Sequence, residues 1–351
     1  MQLTTPSFLD EVAQQPDVVL NVVTSYTDDL SHKLADATKL IQGKPTLLVV
    51  GMGSSLFAGE LLVERLNAVG YRAFTCDASE LYHYRRGLMT EDVIILAISQ
   101  SGESAETCLV AEAKPKDVPL ICITNEVDSR LAKMGDLVLP LLAGEEIGTT
   151  SKTFVATMAL LHLLADAILN EEVLTLSIAK QLAKDMDAVT KSLGDEIDGF
   201  LDEFGDFSSV ILTGRGPGVV TAMQGALITQ EMTRIPAAGL SAGQFRHGPI
   251  EAAGPHALLV IFAPSGTTTE LLLRLAGDTA EYGSPTWVVT DTKAKVPGGE
   301  NVFISQLPKV TEGLSPLLSI IAVELLGVAI AKRKGFEPGR LQRVSKVTDF
   351  E

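Results

Sequence analysis

Val93-Ile94-Ile95-Leu96-Ala97-Ile98-Ser99-Gln100-Ser101-Gly102-Glu103-Ser104-Ala105-Glu106-Thr107 passes in one step from a purely apolar run to hydroxyls gathered around a glycine. Six apolar residues bounded by turn residues read as a strand buried on both faces of a sheet. Residues 47–50 repeat the order upstream, ending in Gly51-Met52-Gly53-Ser54-Ser55 before a helix-like segment with Leu56, Leu61, Leu62 and Leu66. Residues 118–124 repeat it downstream and end in Asn125. Strand, small-residue turn and helix in succession predict an α/β fold, with a mainly parallel sheet and helices on both faces.

About 163 residues later the same landmarks return. Residues 210–213 end in Gly214-Arg215-Gly216-Pro217-Gly218, residues 258–263 in Pro264-Ser265-Gly266-Thr267, and residues 287–290 in Asp291. Three matched landmarks at a nearly constant offset make the chain two copies of one α/β domain. The expected division is a helical segment 1–43, a first domain 44–172, a helical linker 173–203, a second domain 204–334 and a tail 335–351 that completes the site. Residues 151–201 read as helical throughout, with no glycine before Gly194, and residues 314–334 as another helix. The tail reads as irregular.

Charge narrows the function classes. Lys and Arg number 28 against 44 Asp and Glu, a net charge of −16, which repels nucleic-acid backbones and anionic lipid. A single phosphate on a small molecule stays possible, because neutral hydroxyls and amides can hold it. Cys76, Cys108 and Cys122 form no CxxC and read as small apolar fillers rather than a disulfide framework or metal ligands. The acidic, polar N-terminus does not read as a signal peptide, so the expected location is cytoplasmic. Residues 153–169 and 317–331 are apolar but fall short of the ~20 residues of a membrane span, and both read as buried helices.

Several residues carry chemistry. Gly51 and Gly53 make a weak dinucleotide signal, since Leu56 stands where a third glycine is needed. Ser99, Gln100, Ser101 and Ser104 place hydroxyls, an amide and backbone N–H groups at a strand's carboxyl end, where open α/β sheets bind ligands. The alternative is an ordinary helix cap, for which Ser104 would suffice; a cap does not need Ser99, Gln100 and Ser101 as well. Glu231 falls beside the apolar stripe of a helix over 219–233, where a carboxylate is suited to proton transfer. On pattern alone it is equally a surface glutamate. His247 lies in the Gly- and Pro-broken segment Gly243-Gln244-Phe245-Arg246-His247-Gly248-Pro249, and Lys346 in the tail. Taken singly, a loop histidine is more often structural and a tail lysine solvated.

Together these residues resemble the sugar isomerase (SIS) family, in the tandem form of the isomerase domain of glutamine–fructose-6-phosphate aminotransferase and of stand-alone glucosamine-6-phosphate deaminases and fructosamine-6-phosphate deglycases. The serine motif is matched by residues 99–104, the first-strand turn by Gly53-Ser54-Ser55, and an ASEF segment by Ala78-Ser79-Glu80-Leu81. Glu146-Ile147-Gly148-Thr149-Thr150-Ser151-Lys152 matches EIG…STK one residue shorter, Gly225 to Glu231 the helix of the base, and Arg246-His247-Gly248-Pro249 the histidine loop. Ser345-Lys346-Val347-Thr348-Asp349-Phe350-Glu351 matches the closing tail.

The resemblance implies a flavodoxin-like three-layer fold in each half. It implies a hexose 6-phosphate bound by Ser54, Ser55, Ser99, Gln100, Ser101 and Ser104. Its catalytic roles fall on Glu231, which moves a proton between C1 and C2, on Lys346, which meets the sugar carbonyl, and on His247, which assists ring opening. It implies a homodimer in which His247 serves the partner's site, and no metal or organic cofactor. Two departures shape the expected reaction. No glutaminase segment or cysteine stands near Met1, so ammonia is not expected to come from glutamine; Ile228 replaces the family lysine one turn before the base. The expectation is an isomerase-type enzyme acting on a 6-phosphorylated amino sugar or sugar–amine adduct, with deamination or deglycation. A plain phosphosugar isomerase and a non-catalytic phosphosugar sensor are the alternatives.

Overall fold

A computed structural model describes residues 7–293, 295–296, 301–343, 345, 346, 348 and 350; Val347, Asp349 and Glu351 of the tail motif lie outside them. The described residues group into two compact units. One holds Gln14–Ala183 with the tail beyond residue 341, the other residues 7–13 with Lys184–Leu341.

In the first unit, β1 (Thr46–Gly51), β2 (Arg72–Asp77), β3 (Val93–Ile98), β4 (Leu120–Thr124) and β5 (Leu137–Pro140) form one sheet in the order β2-β1-β3-β4-β5. In the second, β6 (Ser209–Gly214), β7 (Ala237–Ser241), β8 (Ala257–Phe262), β9 (Thr286–Thr290) and β10 (Val302–Gln306) repeat it as β10-β9-β8-β6-β7. Every neighbouring pair is parallel, so "mainly parallel" sharpens to wholly parallel. Helices cover the sheets, and the inner strands β3, β4, β8 and β9 are buried at every position. That burial is why their sequences are unbroken apolar runs rather than alternating ones.

The expectation that residues 151–201 are helical throughout is corrected. Two helices, Lys152–Leu169 and Leu176–Phe204, are separated at Asn170, whose left-handed φ of 56° ends the first. Asparagine adopts that conformation more readily than most residues. Asp166 then fastens the turn: its main-chain oxygen accepts the Glu171 N–H (2.9 Å) and its Oδ2 the Leu174 N–H (2.8 Å). The two apolar stretches lie in helices Lys152–Leu169 and Ser315–Arg333, which are long and apolar enough to cross a membrane but are largely buried inside the fold.

The three cysteines are free and buried. Burial pushes the Cys108 thiol up to about 11 and the Cys122 thiol to about 12, from an ordinary 9.0. Such thiols hold their protons more tightly in the folded chain. The stability they contribute is complete below pH 9 and is lost as pH rises from 9 through their folded values. Urea midpoints measured between pH 8 and 11 should therefore fall more steeply for the wild type than for a Cys108→Ala/Cys122→Ala variant. Equal slopes would contradict this.

Candidate functional site

The strand order reverses between β1 and β3, so the turns that leave their carboxyl ends diverge and open a crevice. The first turn carries Ser54 and Ser55, the opening residues of helix Ser54–Ala68, behind Gly53 at φ 49°. Gly51 permits the close approach of the two turns: a Cβ there would lie 3.0 Å from the Ile98 oxygen.

The second turn is the serine loop. The buried Ser99 Oγ accepts the Gly102 N–H (3.1 Å), and Ser101 Oγ accepts the Glu103 N–H (3.2 Å). Gly102 has φ 64°, and a Cβ on it would collide with Ser129 Oγ, so the loop can take this shape only with glycine. Beneath it, the Cys108 thiol donates to the Gly102 oxygen (3.5 Å). Among the described residues no partner takes the Gln100 side-chain amide or the N–H groups of Gln100 and Ser101. Ser104 stands at the N-cap of helix Ala105–Ala113 but makes no capping bond there; Thr107 Oγ1 donates to its hydroxyl (3.2 Å). The helix-cap alternative therefore does not account for Ser104.

The tail supplies what Ser104 does not. The Ala105 N–H donates to the Thr348 oxygen (3.0 Å), which lays the tail across the start of the serine-loop helix. Lys346, two residues earlier, is not solvated: its Nζ lies 2.6 Å from Glu146 Oε2 and 3.4 Å from Thr150 Oγ1. Two extended residues span no more than about 7 Å, so the Lys346 backbone stays near the start of helix Ala105–Ala113 while its amine reaches Glu146 and Thr150. Around Lys346, the buried hydroxyls of Thr149 and Ser151 have no partner among the described residues. Buried polar groups left unpaired are unusual, and they concentrate where a ligand or water belongs. Sequence reasoning quoted Glu146 within a motif and gave it no role. A carboxylate followed by Thr149, Thr150 and Ser151 ahead of an apolar helix was the available signal.

The second unit repeats the reversal of strand order, between β6 and β8, but its loop donors go to carboxylates. The Ser265 N–H and O–H both donate to Asp291 (2.5 and 2.8 Å), and the Thr267 N–H to Glu312 (3.4 Å). Gly266 allows Glu312 that close, since a Cβ on it would overlap the Glu312 carboxylate. In the first unit the counterpart of Asp291 is Asn125, which turns away. It donates to the Gly144 oxygen (2.9 Å) and accepts the Ala143 N–H (3.0 Å). Among the described residues, the first loop thus keeps the Gln100 amide and the Gln100 and Ser101 N–H groups, with only the Ser104 hydroxyl donated to a carboxylate (Glu106, 3.3 Å), whereas the second spends both N–H and O–H donors on Asp291 and Glu312.

Glu231 and His247 both belong to the second unit. Glu231 is half-buried near the end of helix Gly218–Thr233, on the side of half-buried Leu227 and buried Gln224. Ile228 is fully buried and packs toward Gly327 of helix Ser315–Arg333. His247 follows the short helix Ala242–Arg246 and precedes Gly248 at φ 126°; Arg246, His247, Gly248 and Pro249 are all exposed.

Comparison with known proteins adds three findings. A model of the SIS domain family matches residues 39–167 and 205–323. A glutamine–fructose-6-phosphate aminotransferase of Zymomonas mobilis is 29% identical over 97% of this chain, and the match covers 58% of that protein. The chain thus spans little more than half the length of the curated relatives it matches. Among solved structures, a glucosamine-6-phosphate deaminase from Thermotoga maritima (21% identity, TM-score 0.81) is similar over 97% of this chain and 98% of that one. A tagatose-6-phosphate ketose/aldose isomerase from Escherichia coli (17% identity, TM-score 0.84) is similar over 98% of both.

The contrast between the loops is testable. Gly102→Ala forces a left-handed backbone on alanine, costing about 1–3 kcal/mol. Calorimetric titration with glucose 6-phosphate should then show affinity reduced about tenfold or more. Gly266→Ala should leave that affinity within about twofold. The reverse pattern would place the anion in the second unit.

Proposed function

We propose an enzymatic reading for this chain, which belongs to the SIS domain family: aldose–ketose rearrangement of a 6-phosphorylated amino sugar or sugar–amine adduct, with release of ammonia or an amine. The observation that carries it is the serine loop with the Gln100 amide and the Gln100 and Ser101 N–H groups kept, beside a docked tail that carries the Lys346 amine. Hydroxyls and amides suit a phosphate on so acidic a protein, because they need no basic field.

In this reading Ser54, Ser55, Ser99, Gln100, Ser101 and Ser104 seat the phosphate and Lys346 meets the carbonyl at C2. Once the rearrangement has turned a C2 amine into a C2 imine, the Lys346 amine adds to it and ammonia or the amine leaves; water then hydrolyses the Lys346 imine, freeing the ketose phosphate and restoring the lysine. Glu231 moves the proton between C1 and C2 through an enolamine or enediol, as a partly buried carboxylate can. His247 assists ring opening. Its exposed loop supports a homodimer in which this residue reaches the other copy's site. The acid–base and amine chemistry comes from side chains alone. The buried Ile228 leaves that position without the cation of the family pattern, which favours a substrate whose own amine carries charge.

Incubation with glucosamine 6-phosphate, fructosamine 6-phosphates and the plain hexose 6-phosphates, with ammonia, amine and hexose phosphate as readouts, tests the assignment. Amine or ammonia release is expected. Interconversion of plain hexose phosphates without release would indicate a simple isomerase, and binding without turnover a sensor. Glu231→Gln should lower turnover about 100-fold or more with phosphosugar affinity nearly unchanged; retained turnover would remove Glu231 as the base. Light scattering at assay concentration should give a dimer. A monomer that is fully active would contradict the shared-site arrangement.

A further inference from the structure

Glu146 is a buried carboxylate with four partners. Its Oε1 accepts the N–H groups of Ser151 and Thr153, both at 2.9 Å, and its Oε2 accepts the Thr153 hydroxyl (2.7 Å) and lies 2.6 Å from Lys346 Nζ. Its side chain is 0% exposed, whereas that of Lys346 is 22% exposed. Two of these bonds take backbone N–H groups at the start of helix Lys152–Leu169, a capping role that the N-cap residue Ser151 does not fill, since its side chain makes no capping bond. Capping alone needs no cation. The fourth partner comes from 200 residues away in sequence, and its chain is pinned again at Thr348 by the Ala105 N–H. A fully buried charge is retained only when paired, so the carboxylate demands an ammonium as much as the tail demands an anchor.

We propose that Glu146 is the positioning residue for Lys346: it latches the C-terminal tail onto the first unit and sets where the amine stands relative to the serine loop. The proposal rests on the reading of Lys346 as the group that meets the sugar carbonyl. The latch itself makes a separate, sugar-free claim. Glu146 does not touch the substrate in this assignment; it acts through Lys346. Because Thr150 Oγ1 also faces the amine, the loop between Glu146 and Lys152 and the tail form one assembly around it.

Glu146→Gln keeps the shape and an acceptor for the Ser151 and Thr153 N–H groups but removes the charge. Without sugar, hydrogen–deuterium exchange over residues 342–350 should quicken by about tenfold or more. In turnover, kcat should fall about 30-fold or more with KM within about threefold, and Glu146→Asp should recover part of the loss. A merely structural role would instead lower the melting temperature and scale all kinetic constants with the folded fraction. Should Glu146→Gln fail to fold, Lys346→Gln breaks the same pair while sparing the helix cap, and must release the tail equally. Lys346→Arg keeps the ion pair but cannot form an imine, so its tail should stay docked while turnover is lost. Unchanged tail exchange in both Gln variants overturns the latch. A fully active Lys346→Arg overturns the carbonyl role of Lys346 and leaves the exchange result to judge Glu146 on its own.

Discussion

A strand buried on both faces of a parallel sheet can place no unsatisfied polar side chain along its length, so open polar chemistry is pushed to its ends. β3 and β8 obey that constraint at all six of their positions. Where the strand order reverses, the turns leaving β1 and β3 separate, and the donors they carry are not consumed by the sheet. The remaining features of the first unit serve this edge. Gly51 lets backbone approach backbone, Gly102 leaves room for the Ser129 side chain, Cys108 holds the loop from below, and the tail crosses the helix that the loop begins.

Duplication provides an internal control. Both units own the same turn between the same strands, yet Asp291 and Glu312 occupy the donors of the second, while Asn125 leaves those of the first alone. Hydrogen bonds to a charged acceptor are worth roughly twice neutral ones, so an anion entering the second loop would first have to displace two carboxylates. The change from aspartate to asparagine at the end of one strand separates a loop with donors left open from one whose donors are held by its own carboxylates. Neutral donors are thus left open on a protein with a net charge of −16. The loop offers hydroxyls and amides, while of the acidic side chains beside it Glu103 accepts the Arg130 N–H (2.8 Å) and Glu106 accepts the Ser104 hydroxyl (3.3 Å).

How much was legible in the sequence depends on the range of the interaction. The run from Val93 to Ile98 and the hydroxyls behind it are local, and both the strand and the loop could be read from them. The repeat was legible because its landmarks recur in order. The break at Asn170 escaped a reading keyed to glycine, because asparagine can take the left-handed conformation without announcing it. The pairing of Lys346 with Glu146 escaped for a different reason. It joins residues 200 apart, and no periodicity or spacing links a tail lysine to a capping carboxylate. Removing one partner of such a buried pair typically costs about 3–5 kcal/mol, so an interaction of that weight was invisible to local pattern. Ile228 was legible only as a departure; its burial toward Gly327 supplies the reason that a charge is absent there.

The central claim is that the first unit's serine loop and the docked tail form the phosphosugar site. A crystal structure with a hexose 6-phosphate bound tests it most directly. The account predicts phosphate density on the loop of Ser99 to Ser104, with the sugar carbons running toward Lys346 Nζ. Phosphate density on the Ser265 loop of the second unit, or a sugar pointing away from Lys346, would contradict it.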